Sequence, residues 1–156
     1  MSRYVFLLFF VSACGGGYQP DAFSTSTIFG GEQFRGRRLQ HGCLDIVLRA
    51  VNSIEDDPVL EISLGNRCVE ALRVDLSKLE IRGIFSGGER RELVLFDPEG
   101  EIDTALLGGR AVAQEHIEIE GGLGSKQLCI SVQDIIEVNT SAIRQETCIN
   151  VESSQS

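Results

Sequence analysis

From position 43 onward, hydrophobic and polar residues alternate along most of the chain. This period of two is typical of β-strands that bury one face and expose the other. The hydrophobic positions of these runs are Leu44, Ile46, Leu48 and Ala50, then Leu60, Ile62 and Leu64, then Leu72, Val74 and Leu76, then Leu79 and Ile81, then Leu93 and Leu95, then Ile117 and Ile119, and finally Leu128, Ile130 and Val132. The pattern predicts an all-β domain.

Turn-forming residues separate the alternating runs. They are Gly65-Asn66, Ser86-Gly87-Gly88, Asp97-Pro98-Glu99-Gly100, Gly108-Gly109 and Gly121-Gly122. The best helix candidate, residues 134–138, is short. About seven or eight short strands predict an antiparallel β-sandwich, with a small β-barrel as the alternative. Strand spacing and size over residues 43–151 resemble those of immunoglobulin-like domains, although the chain has no tryptophan to pack on a central disulfide.

The N-terminus carries a different hydrophobic pattern. Arg3 belongs to a short positive leader, and an apolar block from Tyr4 to Val11 follows it. A membrane-spanning helix needs about 20 apolar residues, so this block is too short to cross a bilayer. A positive leader, a short apolar block and small residues after it predict a signal peptide over residues 1–13.

The tetrad Val11-Ser12-Ala13-Cys14 resembles the lipobox of bacterial lipoproteins. The resemblance implies thioether attachment of a diacylglycerol to Cys14, cleavage before Cys14 and acylation of the new amine. Two or more acyl chains hold a protein stably at a bilayer, so we expect the membrane to be a partner through this anchor. Gly15 after the cysteine implies, in enteric-type bacteria, sorting to the outer membrane. The expected location is therefore the bacterial cell envelope.

These patterns predict four regions. The signal peptide covers residues 1–13, and lipidated Cys14 with a flexible, glycine-rich tether covers residues 14–42. The β-sandwich domain covers residues 43–151, and a disordered tail covers residues 152–156.

The chain has five cysteines, and an odd number in a secreted protein leaves one to be explained. Lipidation accounts for Cys14, so that Cys43, Cys68, Cys129 and Cys148 remain for two disulfides in an oxidising compartment. Four cysteines allow three pairings. An antiparallel hairpin of strands 43–51 and 59–67 would bring its two ends together and favours Cys43–Cys68, with Cys129–Cys148 by elimination. A C-x-x-C spacing, which would indicate a zinc site, does not occur in the sequence.

The net charge is −9 at pH 7, from 14 basic and 23 acidic residues. Nucleic-acid binding depends on Lys and Arg that neutralise phosphates, so this balance argues against a nucleic-acid partner.

No residues form a recognisable catalytic constellation. His41 lies at the junction of tether and domain, and His116 lies on a predicted exposed face between glutamates. There is no glycine-framed serine, P-loop or dinucleotide fingerprint, so we expect no catalytic residues and no cofactor.

Acidic loops give an alternative chemistry. Asp97, Glu99, Glu101 and Asp103 recur at every second position, and in an extended strand they would share one face that calcium accepts. Pro98 and Gly100 break that strand, and so solvated hairpin loops are the simpler interpretation. Residues 55–57 form a second acidic loop.

We therefore expect a non-enzymatic, lipid-anchored envelope lipoprotein that acts as a binding or structural module, with another envelope protein as partner. The alternative function is a calcium-assisted ligand- or glycan-binding domain that uses the acidic loops. A hydrolase is the third hypothesis and would need His116 beside a buried carboxylate.

Overall fold

The computed structural model describes residues 36–52, 56–96, 104–136 and 146–153. Within these ranges the chain forms β-strands and two short 3-10 turns, so the all-β prediction is confirmed. The turns are Leu76–Lys78 and Ser86–Gly88. The strands are β1 (Arg37–His41), β2 (Leu44–Asn52), β3 (Val59–Asn66), β4 (Leu72–Asp75), β5 (Glu80–Ile84), β6 (Arg90–Leu95), β7 (Thr104–Leu107), β8 (Val112–Glu120), β9 (Gln127–Ser131) and β10 (Glu146–Ser153).

Seven strands close into a ring in the order β2-β3-β8-β6-β5-β9-β10, because β10 returns to pair with β2. Two junctions of the ring are short: β6 meets β8 at two residue pairs, and β10 runs parallel to β2 over three. They divide the ring into a β2-β3-β8 arc and a β10-β9-β5-β6 arc. The ring is the small β-barrel given above as the alternative to the sandwich, while β4 and β7 form a separate two-stranded sheet.

The β2–β3 hairpin follows directly from the alternating pattern. Its register pairs Ile46 with Leu64, Leu48 with Ile62 and Ala50 with Leu60, so the alternating hydrophobic positions of both strands face the same side. A shift of one residue would turn every one of these side chains to the opposite face, and burial of that face therefore specifies the register.

The core occupies the interior of the ring. Both arcs contribute fully buried aliphatic side chains, and β4, β7 and the segment before residue 137 add the remainder. The most buried members are Leu44, Ile46, Leu48, Ala50, Leu60, Ile62, Ile119, Leu128 and Ile130. The core is therefore built mainly from Leu, Ile and Val.

The sheet begins earlier than the sequence predicts. Residues 37–41, placed above in the tether, form β1 and pair antiparallel with β2. His41 opposes Leu44, so Gly42 and Cys43 make a two-residue hairpin loop, and Gly42 supplies the positive φ of 57° that such a loop needs at its first position. The folded domain thus includes at least part of the predicted tether. At the other end, β10 runs to Ser153, so Glu152 and Ser153 of the predicted disordered tail belong to a strand that pairs with β2.

Two other local predictions also differ from the structure. Gly65-Asn66 is the end of β3 and not a turn, because the buried Asn66 side chain is held by hydrogen bonds to the chain around it. Residues 134–136 of the predicted helix form a turn and a bend. None of the described helical turns has the length and hydropathy required to cross a bilayer.

Candidate functional site

Four residues form one row across the outer face of the β10-β9-β5-β6 arc. Arg82 of β5 pairs with Glu92 of β6 on one side and with Cys129 of β9 on the other, and Cys129 pairs with Cys148 of β10. Directly paired residues present their side chains on the same face of a sheet. The neighbours of Cys129 along β9 point into the core, so this row faces outward.

The row contains a disulfide between Cys129 and Cys148, whose Cα atoms are 3.9 Å apart. Cys129 is 3% exposed, while Cys148 is open to solvent. Glu146 precedes Cys148 by two residues and lies on the same face of β10. A carboxylate oxygen of Glu146 and the two sulfurs all lie within 4.8 Å of one another. The site therefore combines soft and hard ligand atoms.

An ion pair joins Glu146, which lies beside the disulfide, to Arg82 on β5. Arg82 Nη1 donates to Glu146 Oε1 at 3.1 Å, and both side chains are partly exposed. A cleft of about 350 Å³ opens beside Arg82 and is lined by Leu79, Glu80, Ile81, Arg82, Glu92 and Leu93. Three charged and three aliphatic side chains line the cleft, and its surface is mainly polar.

The second disulfide lies at the end of the other arc. Cys43 and Cys68 stand just beyond the last pair of the β2–β3 ladder, with Cα atoms 5.5 Å apart. Arg67 donates its backbone N–H to the Cys43 carbonyl at 2.8 Å and forms an ion pair with Asp45 at 3.2 Å. Both predicted disulfides are thus confirmed, including the hairpin argument for Cys43–Cys68.

Asn66 organises the chain next to Cys68. Its side-chain Nδ2 donates to the carbonyls of Glu70, Leu107 and Gly108 at 2.7, 3.2 and 3.1 Å, and its Oδ1 accepts from the Cys68 N–H at 2.9 Å. The amide is fully buried. The two N–H groups of the buried amide are shared among these three carbonyls, and Asn66 thus holds the Cys68 loop against the β7–β8 turn.

The outer face of the β2-β3-β8 arc carries a chain of charges. Arg49 of β2 contacts Glu152 of β10 at 3.0 Å and Glu61 of β3 at 3.4 Å. Glu61 in turn lies 3.8 Å from Nε2 of His116 on β8. The hydrogen bond that Arg49 donates to Glu152 is the main reason why the Arg49 pKa is raised above its ordinary value. Glu152 and Glu61 thus stabilise the charged guanidinium across three strands, β10, β2 and β3.

Neither histidine lies in a closed site. His116 is 57% exposed and has the partly exposed Glu61 beside it. His41 donates Nε2–H to the Gln133 carbonyl at 3.0 Å, which attaches the end of β1 to the segment after β9. His41 therefore has a structural contact, and His116 is an exposed residue beside Glu61.

Several predicted site residues fall outside the described residues. They are the lipobox with Cys14 and the four acidic residues Asp97, Glu99, Glu101 and Asp103. Of the second acidic loop, Asp56 and Asp57 are described, and the Asp57 carboxylate accepts from the N–H groups of Leu123 at 2.7 Å and Gly121 at 3.3 Å. Asp57 thus supports the β8–β9 turn.

The sequence did not identify Arg82 and Glu146 as site residues. They are 64 positions apart, and they meet only because β5 and β10 both pair with β9. Strand order and register are non-local properties, and the alternating pattern does not contain them. The signal in the sequence that could have indicated the site is the position of Glu146 two residues before Cys148, which places both side chains on the outer face of one strand.

The chain was compared with protein-family models, with curated proteins and with solved structures, and none of them matches it.

Proposed function

We propose that this protein is a non-enzymatic lipoprotein of the bacterial envelope, in which a small disulfide-bonded β-domain acts as a binding or structural module on a lipid anchor at Cys14. One observation carries the proposal: two disulfides inside the domain take up Cys43, Cys68, Cys129 and Cys148. Of the five cysteines only Cys14 remains, and it ends the tetrad that resembles a lipobox.

The disulfides also support export. Disulfides form and persist in oxidising compartments, whereas cytosolic thiols are kept reduced. A lipidated Cys14 needs the same export route, so the anchor and the disulfides are consistent with one location. Each buried methylene contributes about 0.8 kcal/mol to membrane binding, and two or more acyl chains therefore tether the domain stably.

We further propose that the barrel is a flattened, immunoglobulin-like sandwich. The support is the ring's division into two arcs joined only by short junctions. In a sandwich the two arcs would be the two packed sheets, with the core between them. Envelope partners would then meet the module through its loops or through a sheet edge, where an added strand pairs by backbone hydrogen bonds.

The anchor is tested by labelling cells that express the full chain with radioactive palmitate, with wild type compared to Cys14→Ser. We expect label in the wild type and none in Cys14→Ser, which should also move from the membrane pellet to the aqueous fraction. The double variant Cys43→Ser/Cys68→Ser is the matched control: it also loses cysteines but should keep the label. An unlabelled wild type, or a Cys14→Ser protein that still pellets, would refute the proposal.

The role as a binding module is tested by cross-linking in whole cells, followed by purification of the tagged full chain. We expect one discrete envelope-protein adduct in the wild type that is depleted when Cys14→Ser releases the domain from the membrane. Adducts that are equally diverse and equally abundant in both proteins would argue against a specific partner.

A further inference from the structure

The Cys129–Cys148 disulfide differs from Cys43–Cys68 in having a third ligand group beside it. Within the described residues, Cys129, Cys148 and Glu146 are the group of cysteine, histidine and acidic side chains whose ligand atoms converge within 4.8 Å. We propose that this disulfide is reducible in the folded protein and that its dithiol form, with Glu146, binds a thiophilic divalent cation such as zinc. The proposal does not depend on the lipid anchor.

Exposure makes one sulfur reachable. Cys148 is open to solvent, whereas Cys129 is 3% exposed. The thiolate of a dithiol reductant would attack Sγ of Cys148, and the Cys129 thiolate would leave. The second thiol of the reductant then attacks the mixed disulfide and releases Cys148. Two electrons pass to the protein, the reductant becomes a disulfide, and its two protons leave both cysteines as thiols.

The fold keeps the two sulfurs together after the bond is broken. Cys129 and Cys148 are directly paired in the β9–β10 ladder, which runs from Glu146↔Ser131 to Asn150↔Gln127. On the inner side of the same strands, Leu128 and Ile130 are fully buried. Because ladder and core do not need the disulfide to define the register, the reduced cysteines stay opposite each other.

The donor set determines which cation fits. Two thiolates and one carboxylate match the N, S and O ligands of zinc in tetrahedral sites, with water as the fourth ligand. Calcium and magnesium prefer six or more oxygen ligands, and thiolates do not suit them. Binding replaces the two thiol protons by the cation, so one cation bound releases two protons and the affinity rises with pH.

Arg82 has a positioning role in this site. It binds Oε1 of Glu146 at 3.1 Å, which holds the carboxylate on the face of the cysteines and leaves Oε2 for the cation. Such outer contacts commonly orient metal ligands.

The test uses the purified full chain, reduced anaerobically with a dithiol that is then removed, and cobalt(II) as the probe. We expect one cobalt per chain, with the sulfur-to-metal charge-transfer absorption of thiolate ligands. The oxidised protein should give neither. Differential alkylation and mass spectrometry should find Cys129 and Cys148 reduced while circular dichroism retains the β-sheet signal.

Three variants decide the assignment. Cys129→Ser/Cys148→Ser should abolish the thiolate absorption, and Glu146→Gln should weaken cobalt binding about tenfold or more. Glu152→Gln is the matched control, since it changes another glutamate of β10, and it should bind like the wild type. Equal affinity of Glu146→Gln and Glu152→Gln, thiolate absorption that survives in the cysteine variant, or loss of the sheet signal on reduction would overturn the proposal. Because Glu146→Gln keeps every cysteine, it tests the site even if the cysteine variant fails to fold.

Discussion

The two arcs of the barrel have matching inner faces and different outer faces. Inside, both present fully buried Leu and Ile side chains to one core. Outside, the β10-β9-β5-β6 arc carries the Cys129–Cys148 disulfide in the middle of its face, with the Arg82–Glu146 ion pair beside it. The outer face of the β2-β3-β8 arc carries the ion pairs of Arg49 with Glu61 and with Glu152 of β10, and its disulfide, Cys43–Cys68, lies at the end of the β2–β3 ladder. The same strand, β10, takes part in both cross-links, because it carries Cys148 near its start and Glu152 near its end.

The comparison shows how differently the two kinds of cross-link act. A disulfide stabilises by restricting the unfolded chain and is insensitive to salt, with typical contributions of about 2–4 kcal/mol. Partly exposed ion pairs contribute about 0–1 kcal/mol and are screened by salt. We therefore expect the contribution of the Cys129–Cys148 disulfide to depend on redox conditions and that of the Arg49 ion pairs to depend on ionic strength.

The largest expected effects concern the shared core. Ile62→Ala in the β2-β3-β8 arc and Ile130→Ala in the other arc should each lower the free energy of unfolding by about 2–5 kcal/mol, because both residues are fully buried. Urea denaturation measures the loss. Val94→Ala, at a position 64% exposed, is the control and should cost little. A loss confined to one arc would mean that the ring does not share a single core.

The next largest loss of unfolding free energy is expected from removal of either disulfide. The bridges span 25 and 19 residues, and the stabilisation depends only on the logarithm of that length, so Cys43→Ser/Cys68→Ser and Cys129→Ser/Cys148→Ser should each cost about 3 kcal/mol. Thermal or urea unfolding of the two variants measures this directly. A difference well above 1 kcal/mol between them would show that native-state contacts, and not chain entropy, dominate one of the bridges.

The core and one hairpin could be predicted because their signals are local. The alternation from Leu44 to Ala50 and from Leu60 to Leu64 defines β2 and β3, and their pairing places Cys43 beside Cys68. The positive-φ glycine at position 42 was also a local signal of a hairpin, since a glycine opens a two-residue loop between His41 and Leu44. The glycines before it made the whole segment resemble a tether.

The outer-face site could not be predicted, because its residues meet only through strand order. Arg49 and Glu152 are 103 positions apart and are joined where β10 runs parallel to β2. Nothing in an alternating pattern states that β10 returns to β2 or that β6 meets β8, and these two junctions convert two arcs into a ring. The same limit applies to Arg82 and Glu146.

A smaller effect on stability is expected at Arg49, the centre of the ion pairs on the outer face of the β2-β3-β8 arc. Arg49→Gln removes both ion pairs and should cost about 1 kcal/mol or less, since the Arg49 side chain is about one-third exposed. The cost should shrink in 1 M salt, where the screening length is about 3 Å. Denaturation at low and high salt measures both quantities.

Two controls make the Arg49 result specific. The cost of removing Cys129–Cys148 should not change with salt, and Arg90→Gln, at an exposed position of β6, should have almost no effect. A loss of unfolding free energy in Arg49→Gln that is large and independent of salt would show that Arg49 stabilises the β2-β3-β8 arc by packing of its side-chain methylenes and not by its ion pairs.

The smallest expected effect is a change in the pKa of Glu89, in the β5–β6 hairpin of the β10-β9-β5-β6 arc. In the β5–β6 hairpin, Arg91 donates Nε–H to Glu89 Oε1 at 2.8 Å and Nη2–H to Oε2 at 3.1 Å, while its guanidinium lies 4.1 Å from the centre of the Phe85 ring. These hydrogen bonds, and secondarily the charge of Arg91, lower the pKa of Glu89 below its ordinary value of 4.5.

Because the Glu89 pKa is lower in the folded chain, the unfolded chain binds more protons between the two pKa values, and stability rises with pH there. The contribution is complete above the ordinary pKa of 4.5 and is lost as the pH falls through the lowered one. Arg91→Gln should raise the Glu89 pKa towards 4.5 in an NMR titration, whereas Arg90→Gln should leave it unchanged. An unaltered Glu89 pKa in Arg91→Gln would mean that this two-point contact does not persist in solution.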